Sequence, residues 1–273
     1  MTTSTHPVHR PASAPFGDHL RTWRQRRRLT QLDLALEADI STRHLSFVET
    51  GRAEPSREMV LRLAERLNVP LRERNTLLVA AGYAPMYRER ALDDPALAAA
   101  RAAVELVLKA HAPYPALALD RHYVMVAANA AVPPLLAGLD PVLLQPPVNV
   151  VRLSLQPGGL APRIVNLPQY RKHLMERLRQ QIALTADPFL VDLLAEVQAY
   201  PVPDPGPGPS MDGEHLGVVM PLMLRTPGGV LSFFSTLTVF GSPNDVTLQE
   251  LAVESFFPAD GFTAAALRAS AVR

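Results

Sequence analysis

Cysteine is absent from the 273 residues. That excludes disulfides, cysteine-ligated zinc, iron–sulfur clusters and thiol nucleophiles, and disulfide-free chains are usual in the cytosol. Lysine is nearly absent. Lys109 and Lys172 are the only two, so the basic side is almost all arginine. Net charge is small: 27 Lys and Arg against 26 Asp and Glu leave +1, which makes the chain neither a basic nor an acidic tail. A membrane-length apolar run is missing as well. The most apolar later stretch, Met125 to Leu139, is too short to span a bilayer and contains Asn129 and the pair Pro133–Pro134. Residues 1–15 hold no apolar run of secretory type and are expected to form a disordered tail on a cytoplasmic protein.

The common catalytic signatures are missing too. G-x-S-x-G, G-x-x-x-x-G-K-[ST] and G-x-G-x-x-G do not occur. Among the eight histidines only His6 and His9 are close together, and they lie in the tail. His122 falls in a hairpin turn and is expected to be exposed. Asp93–Asp94 reads as helix N-terminal charge. The chain is therefore expected to be no enzyme and to hold no metal site.

What is present is enough apolar material, 48% of residues, for a sizeable core, and a length that suggests two domains. Charge divides the chain. Residues 16–90 carry 14 Arg against 10 acidic residues, and residues 91–273 carry 12 basic against 16 acidic. A basic first part and an acidic remainder fit a nucleic-acid module joined to something else.

Residues 16–84 break into five short helical patterns. Phe16, Leu20 and Trp23 recur at helical spacing on the first. Thr30, with Asp33 three residues on, starts a second over about 31–38. Ser41 caps a third over about 42–50, which Gly51 ends. Pro55–Ser56 opens a fourth with Met59, Val60, Leu63 and Leu67 facing in. A fifth runs over about 72–81 and stops at Gly82. The second and third make a helix-turn-helix. Ala35 is the small residue at their crossing, Asp39 takes the left-handed position where Gly is usual, and Ile40 is the buried plug.

After a short connection, Asp94–Pro95 opens an Ala-rich helix to about Lys109. Ala116 to Leu119 and Tyr123 to Ala127 read as a hairpin, with a short helix at about 129–137. Pro168 to Ile182 and 188–199 are helical. Pro201 to Pro209, with proline at every second residue, reads as an exposed extended loop. Val218 to Leu224 and Val230 to Phe240 flank Pro227–Gly228–Gly229 as a second hairpin, and a short helix starts at Leu248. The expected second domain is mixed α/β with an antiparallel sheet of at least four strands. Its strands carry Leu117, Leu119, Met125, Ala127, Met220, Leu222, Leu224, Phe234 and Thr236. These either form a plain core or line an apolar pocket covered by the helix bearing Leu174.

The run Thr30-Gln31-x-x-x-Ala35, Ile40-Ser41 and Glu49-x-Gly51-Arg52-x-x-Pro55-Ser56 resembles the DNA-binding domain of phage-repressor or Xre-type regulators. The resemblance implies an all-α, five-helix lambda-repressor-like domain over 16–84. By position it implies DNA contacts from Gln31, Ser41, Thr42, Arg43, His44, Ser46 and Arg52, with Arg43 best suited to bridge guanine O6 and N7 and Arg52 on phosphate. Arg24 and Glu49 match a buried ion pair of such domains. Arg26, Arg27 and Arg28 read as a solvated face, and Phe47 either meets a thymine methyl or packs on a neighbour.

A wider resemblance includes Arg43 to Arg52, Val69-Pro70-Leu71-Arg72-Glu73-Arg74-Asn75, Ala80 to Pro85, Arg163-Ile164-Val165-Asn166 and Phe256-Phe257-Pro258-Ala259-Asp260. It covers about residues 16–266 and is similar to the MmyB-like regulators. That family joins an Xre-type domain to a PAS-like ligand-binding domain, here expected over 92–266. It implies a small apolar ligand, a fatty acid or similar lipid, a double-stranded DNA partner and a homodimer. A fatty carboxylate would need a polar partner, for which Asn149, Arg152 and Arg163 are the candidates. The competing expectation is a regulator whose second domain only dimerises or binds a protein.

Overall fold

A computed structural model describes residues 14–201, 220–239 and 245–270. The chain divides into two compact units between Arg88 and Glu89. Beyond Pro201, the proline-rich segment expected to be a loop lies outside the described residues, as do residues 1–13 of the expected tail, Val218 and Phe240.

The first unit contains five helices: α1 (Phe16–Arg26), α2 (Gln31–Glu37), α3 (Thr42–Glu49), α4 (Arg57–Arg66) and α5 (Leu71–Ala80). Local chemistry sets their starts. Thr30 Oγ1 accepts from Asp33 N while Asp33 Oδ2 accepts from Thr30 N, closing a capping box on α2. Ser41 and Ser56 accept from His44 N and Met59 N at the heads of α3 and α4, caps of about 1 kcal/mol each. The helix-turn-helix bend passes through Asp39 at φ 54°, a left-handed position that Asp tolerates through its short polar side chain. Ile40 is only half-buried; the deep position next to it belongs to Ala38. Leu34, Ala35, Leu45 and Val48 of α2 and α3 are buried with Leu20 and Trp23 of α1, Leu63 of α4 and Leu67 just after it. α1 meets the end of α3 almost backbone to backbone. A Cβ added at Gly17 would lie 2.3 Å from the Glu49 carbonyl oxygen, so no larger residue fits there.

The second unit is mixed α/β. Its elements are α6 (Ala98–Ala110), β1 (Ala116–Leu119), β2 (Met125–Ala128), α7 (Pro133–Leu136), α8 (Val150–Leu155), α9 (Leu167–Thr185), α10 (Pro188–Ala199), β3 (Leu222–Thr226), β4 (Gly229–Val239), α11 (Val246–Gln249), β5 (Ala252–Pro258) and α12 (Gly261–Ser270). The strands form one antiparallel sheet in the order β2-β1-β5-β4-β3. The central strand, β5, and the helix α12 are not apparent in the sequence pattern. A glutamate, Glu254, interrupts the apolar run that would announce a buried strand.

α6 packs Val104 and Leu108 on Ala116, Ala118 and Val253 of one sheet face. On the other face Leu117, Leu119 and Leu224 meet Leu174 and Leu178 of α9 and Leu190, Leu193 and Val197 of α10. Segment 163–166 protects the β3 edge: Ile164 bridges Leu224, Val165 N donates to Met223 O, and the Asn166 side chain bonds Met223 N and Pro221 O.

Two register details redirect side chains. In the first hairpin Ala118 pairs Ala127 while Leu119 pairs Met125, which leaves Val126 as an extra residue. This β-bulge puts Met125 with Leu119 and Ala127 with Ala118, on opposite faces, where strict alternation puts both inward. In the second hairpin Leu222 pairs Phe233 and Leu224 pairs Leu231. Phe233 is therefore the inward residue, 1% exposed. Phe234 stacks on Phe257 at 5.2 Å, and Thr236 is exposed. Two adjacent phenylalanines fit either register by pattern, and the turn decides between them.

Candidate functional site

The exposed side of α3 carries the residues expected at DNA. Arg43 is exposed, and Thr42, His44 and Ser46 are half-buried beside it. Phe47 lies one turn along, its ring centre 5.3 Å from the Arg43 guanidinium carbon. It is thus a platform that restricts where Arg43 can point. Gly51, at φ 71°, turns the chain after α3 and leaves Arg52 exposed. Ser41 uses its hydroxyl to cap α3.

Gln31, also expected at DNA, has part of its side chain engaged within the unit. Its Nε2 donates to Glu49 Oε2 at 2.8 Å, so the amide nitrogen is committed to the interior. Glu49 is 2% exposed and accepts from Arg24 Nε at 2.6 Å and Nη2 at 2.9 Å. Arg21 stands 3.6 Å away. Burial pushes the Glu49 carboxyl up, but the hydrogen bonds from Arg24 and Gln31 and the two arginine charges hold it below the usual carboxylate range. Arg27 is also not a solvated residue. Its guanidinium lies 5.2 Å from the Trp23 ring centre and donates to Leu67 O and Asn68 O, closing the C-terminus of α4.

The second unit has a cavity of about 80 Å³ between α9 and the sheet. Leu117, Met125, Leu174, Leu222 and Leu224 line it, together with Tyr123, Phe233 and Phe256. Met220 borders a small adjoining recess. Leu119 is in the same core without reaching the cavity wall. Ala127, Phe234 and Thr236 are excluded by the register just described.

None of the three residues expected to meet a carboxylate faces this cavity. Asn149 is buried and caps α8, accepting from Val151 N and Arg152 N while donating to His122 O. Arg152 pairs with Glu196 at 2.7 Å and lies over Phe189. Arg163 donates to Arg225 O and Ala137 O. All three hold local structure, because polar groups next to apolar runs serve helix ends and strand edges as readily as cavities. His122, expected to be exposed, is half-buried, stacked on Phe189 at 4.1 Å with Nε2 3.0 Å from Asp187 Oδ2.

The cavity's charged residues are Arg177 and Glu254, with Tyr170 and Ser154 as its further polar wall. Arg177 Nη1 donates to Glu254 Oε1 at 2.9 Å, and Ser235 Oγ donates to the same oxygen at 3.0 Å. The Tyr123 ring centre lies 5.3 Å from the guanidinium carbon. Among the described residues, the buried Arg177 Nη2 has no hydrogen-bond partner. Burial pushes the guanidinium pKa down, but the charge and hydrogen bond of Glu254 outweigh it and raise it overall. Burial also pushes the Tyr170 and Tyr123 phenols up. Sequence spacing contains a faint signal for Arg177: it is seven residues after Tyr170 and three after Leu174, on the buried stripe of α9. Nothing local marks Glu254.

Leu135 of α7 lines both this cavity and a separate, larger groove of about 580 Å³. Ala131, Pro134, Leu231, Phe262 and Leu267 form the apolar part of that groove. Among the described residues no helix is long and apolar enough to cross a membrane, and no group of three His, Asp or Glu could hold a metal.

Comparison with known families gives two matches. The family described as MmyB-like transcription regulator ligand binding domain matches residues 100–269. A helix-turn-helix family matches residues 20–74. Nothing among curated proteins matches the chain.

Proposed function

We propose a specific reading from one premise: the chain belongs to the MmyB-like transcription regulators, a DNA-binding helix-turn-helix unit followed by a ligand-binding domain. In this reading the first unit recognises a defined operator. α3 enters the major groove, Thr42, Arg43, His44 and Ser46 meet base edges or backbone, and Arg52 meets phosphate. Gln31 and Ser41 contribute only through atoms left over from the Glu49 network and the cap. A cytoplasmic homodimer presents two such helices to half-sites about 34 Å apart. The second unit is a PAS-like sensor without enzymatic activity. Its ligand is a small apolar molecule, a fatty acid or similar lipid. Occupancy changes half-site spacing through the ligand's differential affinity for two forms of the dimer.

One observation carries the sensor reading. The cavity is walled by Leu, Val, Met, Phe and Tyr side chains and carries one charge pair, Arg177 with Glu254. Ligand sites have this composition, mostly apolar with a few polar groups that fix orientation. The acyl chain of a fatty acid needs more room than about 80 Å³. Rotation of Leu135, the wall shared with the larger groove, would supply it.

A second reading has its own observation. Sites for drug-sized ligands start at about 300 Å³, and the enclosed cavity is smaller, which favours a domain that only dimerises or holds a protein partner. Mass spectrometry of an organic extract, beside native mass spectrometry of the intact protein, separates the two. The sensor reading expects a stoichiometric apolar molecule that is lost on denaturation. An empty protein whose melting temperature ignores added acyl compounds would leave the dimerisation reading.

A further inference from the structure

The sensor reading leaves open where a long chain lies, and the following deepens that reading and rests on it. The cavity between α9 and the sheet measures about 80 Å³. An apolar cavity of about 150 Å³ takes one benzene ring, so this one takes no more than a short chain end. The groove beside it measures about 580 Å³, within the range of small-ligand sites, about 300–1,000 Å³. Its described lining side chains are apolar apart from Thr226 and Ser270, and none is charged. Leu135 is the one described residue that lines both spaces.

The segment that holds Leu135 is weakly built. Leu135 is half-buried on α7, a single helical turn. Pro133 and Pro134 open that turn and have no N–H to bond. Leu135 N donates to Val132 O at 3.0 Å, and Ala137 N to Pro134 O at 3.4 Å. The anchors stand on either side. Before the turn, Asn129 accepts from Ala116 N and donates to Leu108 O and Tyr114 O. After it, Arg163 donates to Ala137 O. A wall segment with fixed ends and few bonds of its own can yield locally while the rest of the unit stays folded.

We propose that cavity and groove are two parts of one site for a long unbranched acyl or alkyl chain, with Leu135 as the residue that sets how much chain is admitted. The chain tip turns Leu135 aside and fills the cavity, and the following carbons lie in the groove on Leu231, Phe262 and Leu267. An opening made by one side chain suits a polymethylene chain and excludes a fused ring. The polar head stays outward. The groove rim at Pro134, Gly228 and Ser270 is exposed, so the head keeps its water there, whereas the cavity would strip it.

Photolabelling of the full chain tests this without any variant. Two tetradecanoic acids are used, one with a diazirine at the chain tip and one with it at mid-chain, and the labelled residues are mapped by mass spectrometry. Tip labels are expected on cavity residues such as Tyr123 and Met125, and mid-chain labels on groove residues such as Phe262 and Leu267. Labels from both probes on the cavity alone, or on the groove alone, overturn the proposal. Calorimetric titration with octanoate, decanoate, dodecanoate and tetradecanoate gives a second answer. Affinity should rise on the order of tenfold for each two carbons added. In Ala266→Trp, which fills the groove from α12 and leaves the cavity lining untouched, the rise should stop. Affinity that is flat with chain length in the wild type, or that rises unchanged in Ala266→Trp, overturns the proposal. If no chain binds or labels at all, the sensor reading itself falls, and the proposal with it.

Discussion

Each unit buries an arginine–glutamate pair, and the two pairs are finished in opposite ways. In the first, Glu49 takes two hydrogen bonds from Arg24 and one from Gln31. In the second, Glu254 is bonded by Arg177 and Ser235, and the pair lines a cavity. Groups of the same chemistry thus stand in different surroundings, one among helix ends and the other in a cavity wall. The first pair, with Gln31, ties α1 to α2 and α3. The second pair stands in the wall of a cavity.

The sharpest way to break this comparison is to remove one arginine from each pair. Arg24→Ala leaves the Glu49 carboxylate buried and short of its main cation. The first unit should lose about 3–5 kcal/mol of stability by chemical denaturation. Arg177→Met should cost less, about 1–3 kcal/mol, because Glu254 lines a cavity that can admit water. Equal losses at the two positions would make both pairs structural and dissolve the distinction.

Arg43→Ala moves to the exposed side of the same helix-turn-helix. Operator affinity should fall by about 1–3 kcal/mol and preference at one base should relax, while thermal stability stays within about 0.5 kcal/mol of the wild type. A matching drop in stability would show that Arg43 acts through Phe47 and the fold and not through DNA.

The gentlest probe is pH. The Glu49 carboxyl is held below its ordinary range in the folded unit. Its contribution to stability is therefore fully present above the unfolded-state value, about 4.3, and is lost as pH falls from there through the lower folded value. The first unit should weaken in that acid window, and Arg24→Ala should flatten the dependence. A wild-type profile already flat there would mean that Glu49 titrates as in the unfolded chain.

How much of this was legible differs between the units. Thr30, Asp33, Ser41 and Ser56 act through neighbours three residues away, and Gly51 and Asp39 act through their own backbone angles. Such features are local, so the five helices and the bend of the helix-turn-helix can be read directly. Even there the bond from Gln31 to Glu49 is not apparent, since the two are 18 residues apart. The second unit depends on register. One bulge at Val126 sends Ala127 to the α6 face, and the Pro227–Gly228 turn selects Phe233 over Phe234. Neither outcome follows from alternation alone.

By itself the sequence determined the caps, the helical faces, the exposed Arg43, the division of charge and the presence of an α/β second unit. Each of these follows from short-range periodicity and backbone preference. Only the tertiary structure decided which polar groups meet the cavity. Arg177 and Glu254 are 77 residues apart, one on a helix stripe and the other in a central strand whose burial depends on its neighbours in the sheet. A buried ion pair exists only when both partners arrive together, and no local pattern encodes that meeting.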